Sequence, residues 1–405
     1  MRSSAVLLSF AWLVGCTTGP HIVSTDLDRE VSVAEVVDAV SGADVVALGE
    51  LHRTPDIHQT HHQLIKALHR RRPDMVIAME MFDREAQVPM LQYLQGLIEE
   101  GEFREQVKLW PEYVRDYRPV IEFARENNLM VIAANAPNHL VKKARKEGLG
   151  SVLGDPMVAR EVSVPKDEAY EDFMKAMEGH PGVSDDMLER FYVAQCVWDD
   201  TMAESITDYL EKERETDSRP LVVFICGKQH SDHGRGTVMR IRQRMPDLEV
   251  KVLSAELVDD ISANIYDSTS DVGEFVIVAA QPAEQPKRAA PAPVKSAAAG
   301  EGEGEPAPRQ NPEGESPAFG FMPGNYEEQG GGILVGAVSP GGCAEKAGME
   351  EGDVILSVNG LATPDIEAYM EALETLIIGD EATVRLLREG IEADLPVEVG
   401  SRTRR

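Results

Sequence analysis

The segment ADVVALGELHRTPDIHQTHHQLIKALHRR, residues 43–71, decides the fold class. It opens on the apolar, β-branched run Asp44–Leu48, breaks at Gly49, and continues over 55–72 with apolar residues at three-to-four spacing. An apolar run of strand length without alternation predicts a strand covered on both faces, and the period that follows predicts an amphipathic helix. The couplet returns downstream. Strands are predicted at Met75–Met79, Met130–Ala134, Leu221–Cys226 and Val250–Ser254, with an edge strand at Phe275–Ala280, and helices at 84–98, 119–127, 138–147 and 185–214. Such alternation gives an α/β fold, a mainly parallel sheet flanked by helices.

Open parallel sheets bind ligands in the crevice beyond the carboxyl ends of their strands. Polar residues stand there in this sequence: Glu50 and His52 after the first strand, Glu80 after the second, Asn135 after the third, and Gly227-Lys228-Gln229-His230 after the fourth. His52 and His230 each close a Gly-x-x-His turn, where glycine permits a tight bend. Imidazole ligates haem iron or another metal, or moves protons near neutral pH. A carboxylate beside it orients the ring, binds a hard cation or serves as a general base. Glu50, His52, Glu80 and His230 are therefore expected to share one site, as haem or metal ligands or as catalytic groups. His58 and His62, four apart on one helical face, lack a clear third ligand and are read as solvated or packed histidines beside it. Trp198 is expected to pack, and one of Asp199 and Asp200 to make a structural hydrogen bond. Arg115 and Arg118 suit carboxylates or haem propionates, but a surface ion pair is the expected role of each.

The chain is strongly acidic, with 40 Lys and Arg against 70 Asp and Glu, a net charge of −30 over 405 residues. That field repels phosphate backbones and excludes nucleic acid as the expected partner. Between 281 and 317 the text becomes Ala, Pro, Gly and Glu (PKRAAPAPVKSAAAGEGEGEPAPRQNPEGESP, 286–317), too poor in apolar surface to offset ordering entropy, and is read as a linker. It divides an α/β domain at 31–280 from a C-terminal domain at 318–400. At the N-terminus, Arg2 precedes the apolar run AVLLSFAWLV and then Gly15-Cys16. The run is shorter than the ~20 residues a membrane span needs and has the form of a secretory signal. The cysteines left beyond it, Cys196, Cys226 and Cys343, are odd in number and scattered, which suits neither a disulfide scaffold nor a cysteine zinc cluster.

Three resemblances sharpen these readings. Leu13-Val14-Gly15-Cys16 resembles the lipobox of bacterial lipoproteins. This implies a signal peptide at 1–15, lipidation (palmitate) of Cys16, a lipidated tether at 16–30 and a cell-envelope location. Thr17 rather than Asp after the cysteine implies the periplasmic face of the outer membrane if the source is Gram-negative. GELHRTPDIHQTHHQL (49–64), VIAMEMFDREAQ (76–87), LWPEYVRDYRPVIEFARENNLMVIAANAP (109–137), QCVWDDTMAESI (195–206) and FICGKQHSDHGRGTVMRI (224–241) resemble, in order, segments of the ChaN-like haem-binding uptake family. Its wider superfamily includes Tiki proteases and erythromycin esterases. The resemblance maps His52 and His230 onto the family's Gly-x-x-His motifs with Glu50 and Glu80 as acidic companions, and implies haem as ligand. It also implies a tyrosine in the haem chemistry, leaving Tyr93, Tyr113 and Tyr117 open. AFGFMPGN (318–325), AEKAGMEEGDVILSVNG (344–360) and EATVRLLREGIEADLPVEV (381–399) resemble a bacterial PDZ domain, a mainly β, partly open barrel with helices. Phe319-Gly320-Phe321 resembles its carboxylate-binding loop, which implies capture of a peptide or protein C-terminus.

Together these favour a membrane-anchored lipoprotein that binds haem or an iron-porphyrin and recruits a partner through its PDZ domain, a binding protein rather than an enzyme. The alternatives are a metal-assisted hydrolase of the Tiki or erythromycin esterase kind, using a divalent metal, and a non-enzymatic PDZ adaptor. Neither a serine nucleophile elbow nor an HExxH helix occurs.

Overall fold

The computed structural model describes residues 20–110, 112–177, 185–258, 271–281, 311–312, 315–324, 332–363, 366–388 and 391–403. Cys16 and most of the expected linker lie outside them. In chain order the first domain runs β1 (His21–Ser24), β2 (Arg29–Val31), α1 (Val33–Val40), β3 (Val45–Glu50), α2 (Pro55–Arg71), β4 (Val76–Asp83), α3 (Gln87–Leu94), α4 (Glu100–Gln106), a π-helical turn at Tyr113–Tyr117, α5 (Arg118–Glu126), β5 (Val131–Asn135), α6 (Asn138–Glu147), α7 (Glu168–Met177), α8 (Asp185–Arg214), β6 (Val222–Gly227), α9 (Gly236–Arg244), β7 (Val250–Val258) and β8 (Phe275–Ala280).

Eight strands form one sheet in the order β2-β1-β8-β7-β3-β6-β4-β5, parallel from β8 to β5. Every residue of β3 and β6 is buried, because alternate side chains enter two cores. Val46, Leu48, Val223 and Ile225 join Ile57, Leu64 and Leu68 of α2, whereas Val45, Ala47, Val222 and Phe224 join Met202 and Ile206 of α8 and Val238 and Ile241 of α9. Helices on both faces explain why these strands read as unbroken apolar runs.

Two expectations are corrected here. Phe275–Ala280 is not an edge strand: β8 lies between β7 and β1. The strands outside it come from residues 21–31, mostly read as tether; Ile22, Val23 and Val31 are buried, and β1 pairs antiparallel with both β8 and β2. The helix expected over 84–98 is a 3-10 turn at Arg84–Ala86 followed by α3, which stops at Leu94 ahead of Gly96, whose φ of 70° lies in the left-handed region.

The second domain contains β9 (Glu315–Ala318), β10 (Phe321–Pro323), β11 (Ile333–Val338), α10 (Cys343–Lys346), β12 (Val354–Val358), β13 (Leu361–Ala362), α11 (Ile366–Glu374), β14 (Glu381–Arg388), β15 (Ile391–Glu398) and β16 (Gly400–Thr403). Its main sheet runs β10-β11-β12-β14-β15, with β13 beside β12, and β9 pairs with β16. Glu315–Pro317, placed in the linker by composition, are thus strand residues. Phe319, Phe321, Tyr369 and Leu373 pack with Ile333, Ile355 and Val384 in a separate core.

Candidate functional site

The four residues expected to meet do so, around Gly227 at the carboxyl ends of β3, β4 and β6. Register pairs Glu50 with Gly227 across β3 and β6. Glu80 stands where β4 leaves regular pairing with β5, between Met79 and Asp83, and its Oε2 accepts a hydrogen bond from the Gly227 N–H at 2.7 Å. A Cβ on Gly227 would lie 3.6 Å from both Glu80 Oε2 and His52 Cε1, so the two motifs share one small space. Gly49 is required by close approach: a Cβ there would fall 2.8 Å from Ser231 Oγ and 3.2 Å from Lys228 Cα.

Each histidine is bound to carboxylates, in a different way. His52, whose side chain is 14% exposed, donates Nδ1–H to Glu50 Oε1 at 2.6 Å, since a carboxylate only accepts, and lies edge-on to Trp110. His230 is buried with both nitrogens facing acids: Nδ1 donates to Asp199 Oδ1 at 2.7 Å, and Nε2 is 3.3 Å from Glu80 Oε1. The Gln195 amide lies 3.1 Å from the same Nδ1. Burial works against the charge on His230, but Glu80 and Asp199 outweigh it and raise its pKa to about 10. Burial likewise opposes charge on Glu80, yet His230, His52 and the Gly227 N–H bring it down to about 2. Glu80 and His230 are an ion pair.

Sequence reading missed the layer behind Glu50. The Tyr117 hydroxyl donates to Glu50 Oε1 at 3.0 Å; Tyr93 bonds Glu122 instead, and the Tyr113 hydroxyl has no hydrogen-bond partner. Burial, followed by the Glu50 charge, pushes the Tyr117 phenol far above its ordinary range. His58 Nε2 lies 2.9 Å from Glu50 Oε2 and 3.6 Å from Asp116 Oδ2, at ion-pair distance but without hydrogen-bond alignment to either. Its place on α2, six residues after His52, was the only sequence signal for this contact. His61 is buried with no hydrogen-bond partner, and burial lowers its pKa to about 3, so it is neutral. His62 packs edge-on against Phe123.

Asp199 holds His230 and also accepts from Thr237 Oγ1 at 2.8 Å; Asp200 takes Arg240 and Arg244. The arginines expected in ion pairs are in them, Arg115 on Asp116 and Arg118 on Glu100, each through two hydrogen bonds. Among the described residues no three or more His, Cys, Asp or Glu side chains are arranged to hold a metal ion, so the divalent-metal alternative finds no assembled cage there. No described helix is long and apolar enough to cross a membrane.

In the second domain, the loop Phe319-Gly320-Phe321 turns at Gly320, φ 81°, and leads into the edge strand β10. The Phe319 and Phe321 side chains are buried, so only the backbone of the loop is available to a ligand.

Residues 36–241 match the family described as haem-binding uptake, Tiki superfamily, ChaN, and residues 334–388 match a PDZ-domain family. ChaN of Campylobacter jejuni, solved with cofacial haem binding, is 15% identical and aligns with 64% of this chain and 96% of its own, at a TM-score of 0.48. The HtrA3 PDZ domain bound to the phage-derived ligand FGRWV is 20% identical and aligns with 22% of this chain and 88% of its own, at a TM-score of 0.19. The periplasmic serine endoprotease DegP of Escherichia coli K12 is 35% identical over 68 residues, 17% of this chain. The chain spans only 14% of the length of that protease. With residues 36–241 covering half of its length, the chain belongs to the ChaN haem-binding uptake family of the Tiki superfamily, and it carries a PDZ domain after that module.

Proposed function

We propose that this chain is a lipid-anchored haem-binding protein of the cell envelope, with His52 as the residue that meets the iron and the PDZ domain as the part that captures a partner's C-terminus. The observation that carries the haem reading is the Glu50–His52 couple at the strand ends. Glu50 fixes Nδ1 as the protonated nitrogen, and the carboxylate makes the imidazole a better donor. Haem, if bound, would supply an iron that takes an imidazole nitrogen, and His52 is the residue that would hold it. His230 fits that role poorly, because both its nitrogens already face carboxylates. It serves instead to hold Glu80 in place. Tyr117 is likewise committed to Glu50 as a neutral phenol.

The anchor suits the site's position. β1 enters the sheet with His21 opposite Val278, towards the carboxyl end of β8, the same end at which Glu50 and Gly227 stand. Only residues 17–20 separate Cys16 from β1. Five residue steps reach at most roughly 17 Å, so lipid on Cys16 would hold the site end of the domain near the bilayer. The test is a haemin titration of the purified full-length protein followed by its visible spectrum, with bound metal measured alongside. Saturable binding at one haem per site with a histidine-ligated spectrum supports the proposal; absence of a spectral change at excess haemin refutes it.

A further inference from the structure

Among the described residues β10 ends its sheet, and its outer edge is short of one hydrogen-bond donor. Gly320 O accepts from Ser339 N at 2.9 Å, Met322 pairs with Ala337, and Gly324 N donates to Leu334 O at 2.7 Å. Backbone polar groups alternate sides along a strand, so Gly320, Met322 and Gly324 face β11 while Phe321 and Pro323 face the open edge. Position 323 being proline accords with this, since proline sits in sheets where its missing N–H would point away from a ladder. β10 ends the sheet order among the described residues, and the Phe321 ring lies 5.6 Å from Tyr369 of α11, the helix that would wall a groove along this edge.

A peptide added antiparallel to this edge, with its carboxylate in the loop, places its last residue opposite Phe321 and its third-from-last opposite Pro323. Phe321 offers an N–H and a carbonyl. Pro323 offers only a carbonyl, so the peptide carbonyl opposite it has nothing to accept from. Three backbone bonds are available to the last three residues, and pairing frays at the third.

We infer that this groove orders only the last three residues of a partner's free C-terminus, because Pro323 withholds the donor that would carry the pairing further. The inference rests on the peptide-capture reading given above. The partner it fits is a protein whose C-terminus emerges as a short tail of about three residues, rather than one offering a long extended segment.

The test uses the full-length chain and three free-acid probes: RWV, FGRWV, and FGRWV with a fluoroalkene replacing the amide after its arginine, which deletes the carbonyl opposite Pro323. In the unaltered protein, all three are expected to bind within about twofold of one another. Pro323→Ala restores the donor and should tighten RWV and FGRWV on the order of threefold to tenfold, the range of one net hydrogen bond, while leaving the fluoroalkene probe unchanged. Tenfold tighter binding of FGRWV than RWV to the unaltered protein, or no gain with Pro323→Ala, overturns the inference. If no probe binds and a library of random free C-termini also fails, the peptide-capture reading itself falls, and this inference with it.

Discussion

His230 Nε2 lies 3.3 Å from Glu80 Oε1, and this buried pair ties the fourth strand-end motif to the second. The pKa of His230 is raised from 6.5 to about 10 and that of Glu80 lowered from 4.5 to about 2. The stability from His230 is thus full below pH 6.5 and lost as pH rises through about 10; that from Glu80 is full above pH 4.5 and lost as pH falls through about 2. Thermal melts should show both contributions intact between these inner limits. His230→Gln should flatten the alkaline side of the profile. An unchanged alkaline slope in that variant would place the titration elsewhere.

Asp199 is the second carboxylate on His230, and it also takes Thr237. Removing one partner of a buried ionic group leaves the other uncompensated, at a cost of about 3–5 kcal/mol. Asp199→Asn should approach the lower end in urea unfolding, because its amide oxygen still accepts one hydrogen bond. It should also lower the His230 pKa seen by NMR. A loss below about 1 kcal/mol with an unmoved titration would show that Asp199 does not set the charge of His230.

Gly236 opens α9 at φ 54°, and a Cβ there would fall 2.8 Å from His230 O. Gly236→Ala combines left-handed strain with a collision against backbone, so a destabilisation of roughly 2 kcal/mol or more is expected, together with displaced His230 resonances. Wild-type stability and shifts in this variant would contradict the assigned conformation.

The proposed lipid anchor turns on Cys16. Cys16→Ala should abolish acyl labelling and leave either an uncleaved precursor or a protein outside the detergent-soluble membrane fraction. Retention of both label and membrane association in the mutant rules the lipid anchor out.

The parallel strands were legible because two-sided burial leaves unbroken runs such as Val45–Leu48, and the convergence of Glu50, His52, Glu80 and His230 followed from their shared place after such runs. The β1–β2 hairpin was not legible: HIVS and REV are too short to show a period, and their burial depends on β8, some 250 residues away. Losing them turned β8 into an apparent edge. The different surroundings of His52 and His230 were also hidden. Both sit in the same Gly-x-x-His pattern, and what separates them is a residue of α8, Asp199, whose partner no local spacing reveals. Tyr117 stood undistinguished from Tyr93 and Tyr113 for the same reason: its contact with Glu50 is set by a π-helical turn 67 residues downstream.

The most direct test of the account is haemin binding by His52→Ala and His230→Ala side by side, read through the Soret band with folding checked by circular dichroism. The account predicts that His52→Ala loses the histidine-ligated spectrum and binds at least about tenfold more weakly, while His230→Ala keeps that spectrum despite reduced stability. A folded His52→Ala protein with the wild-type spectrum and affinity would contradict it.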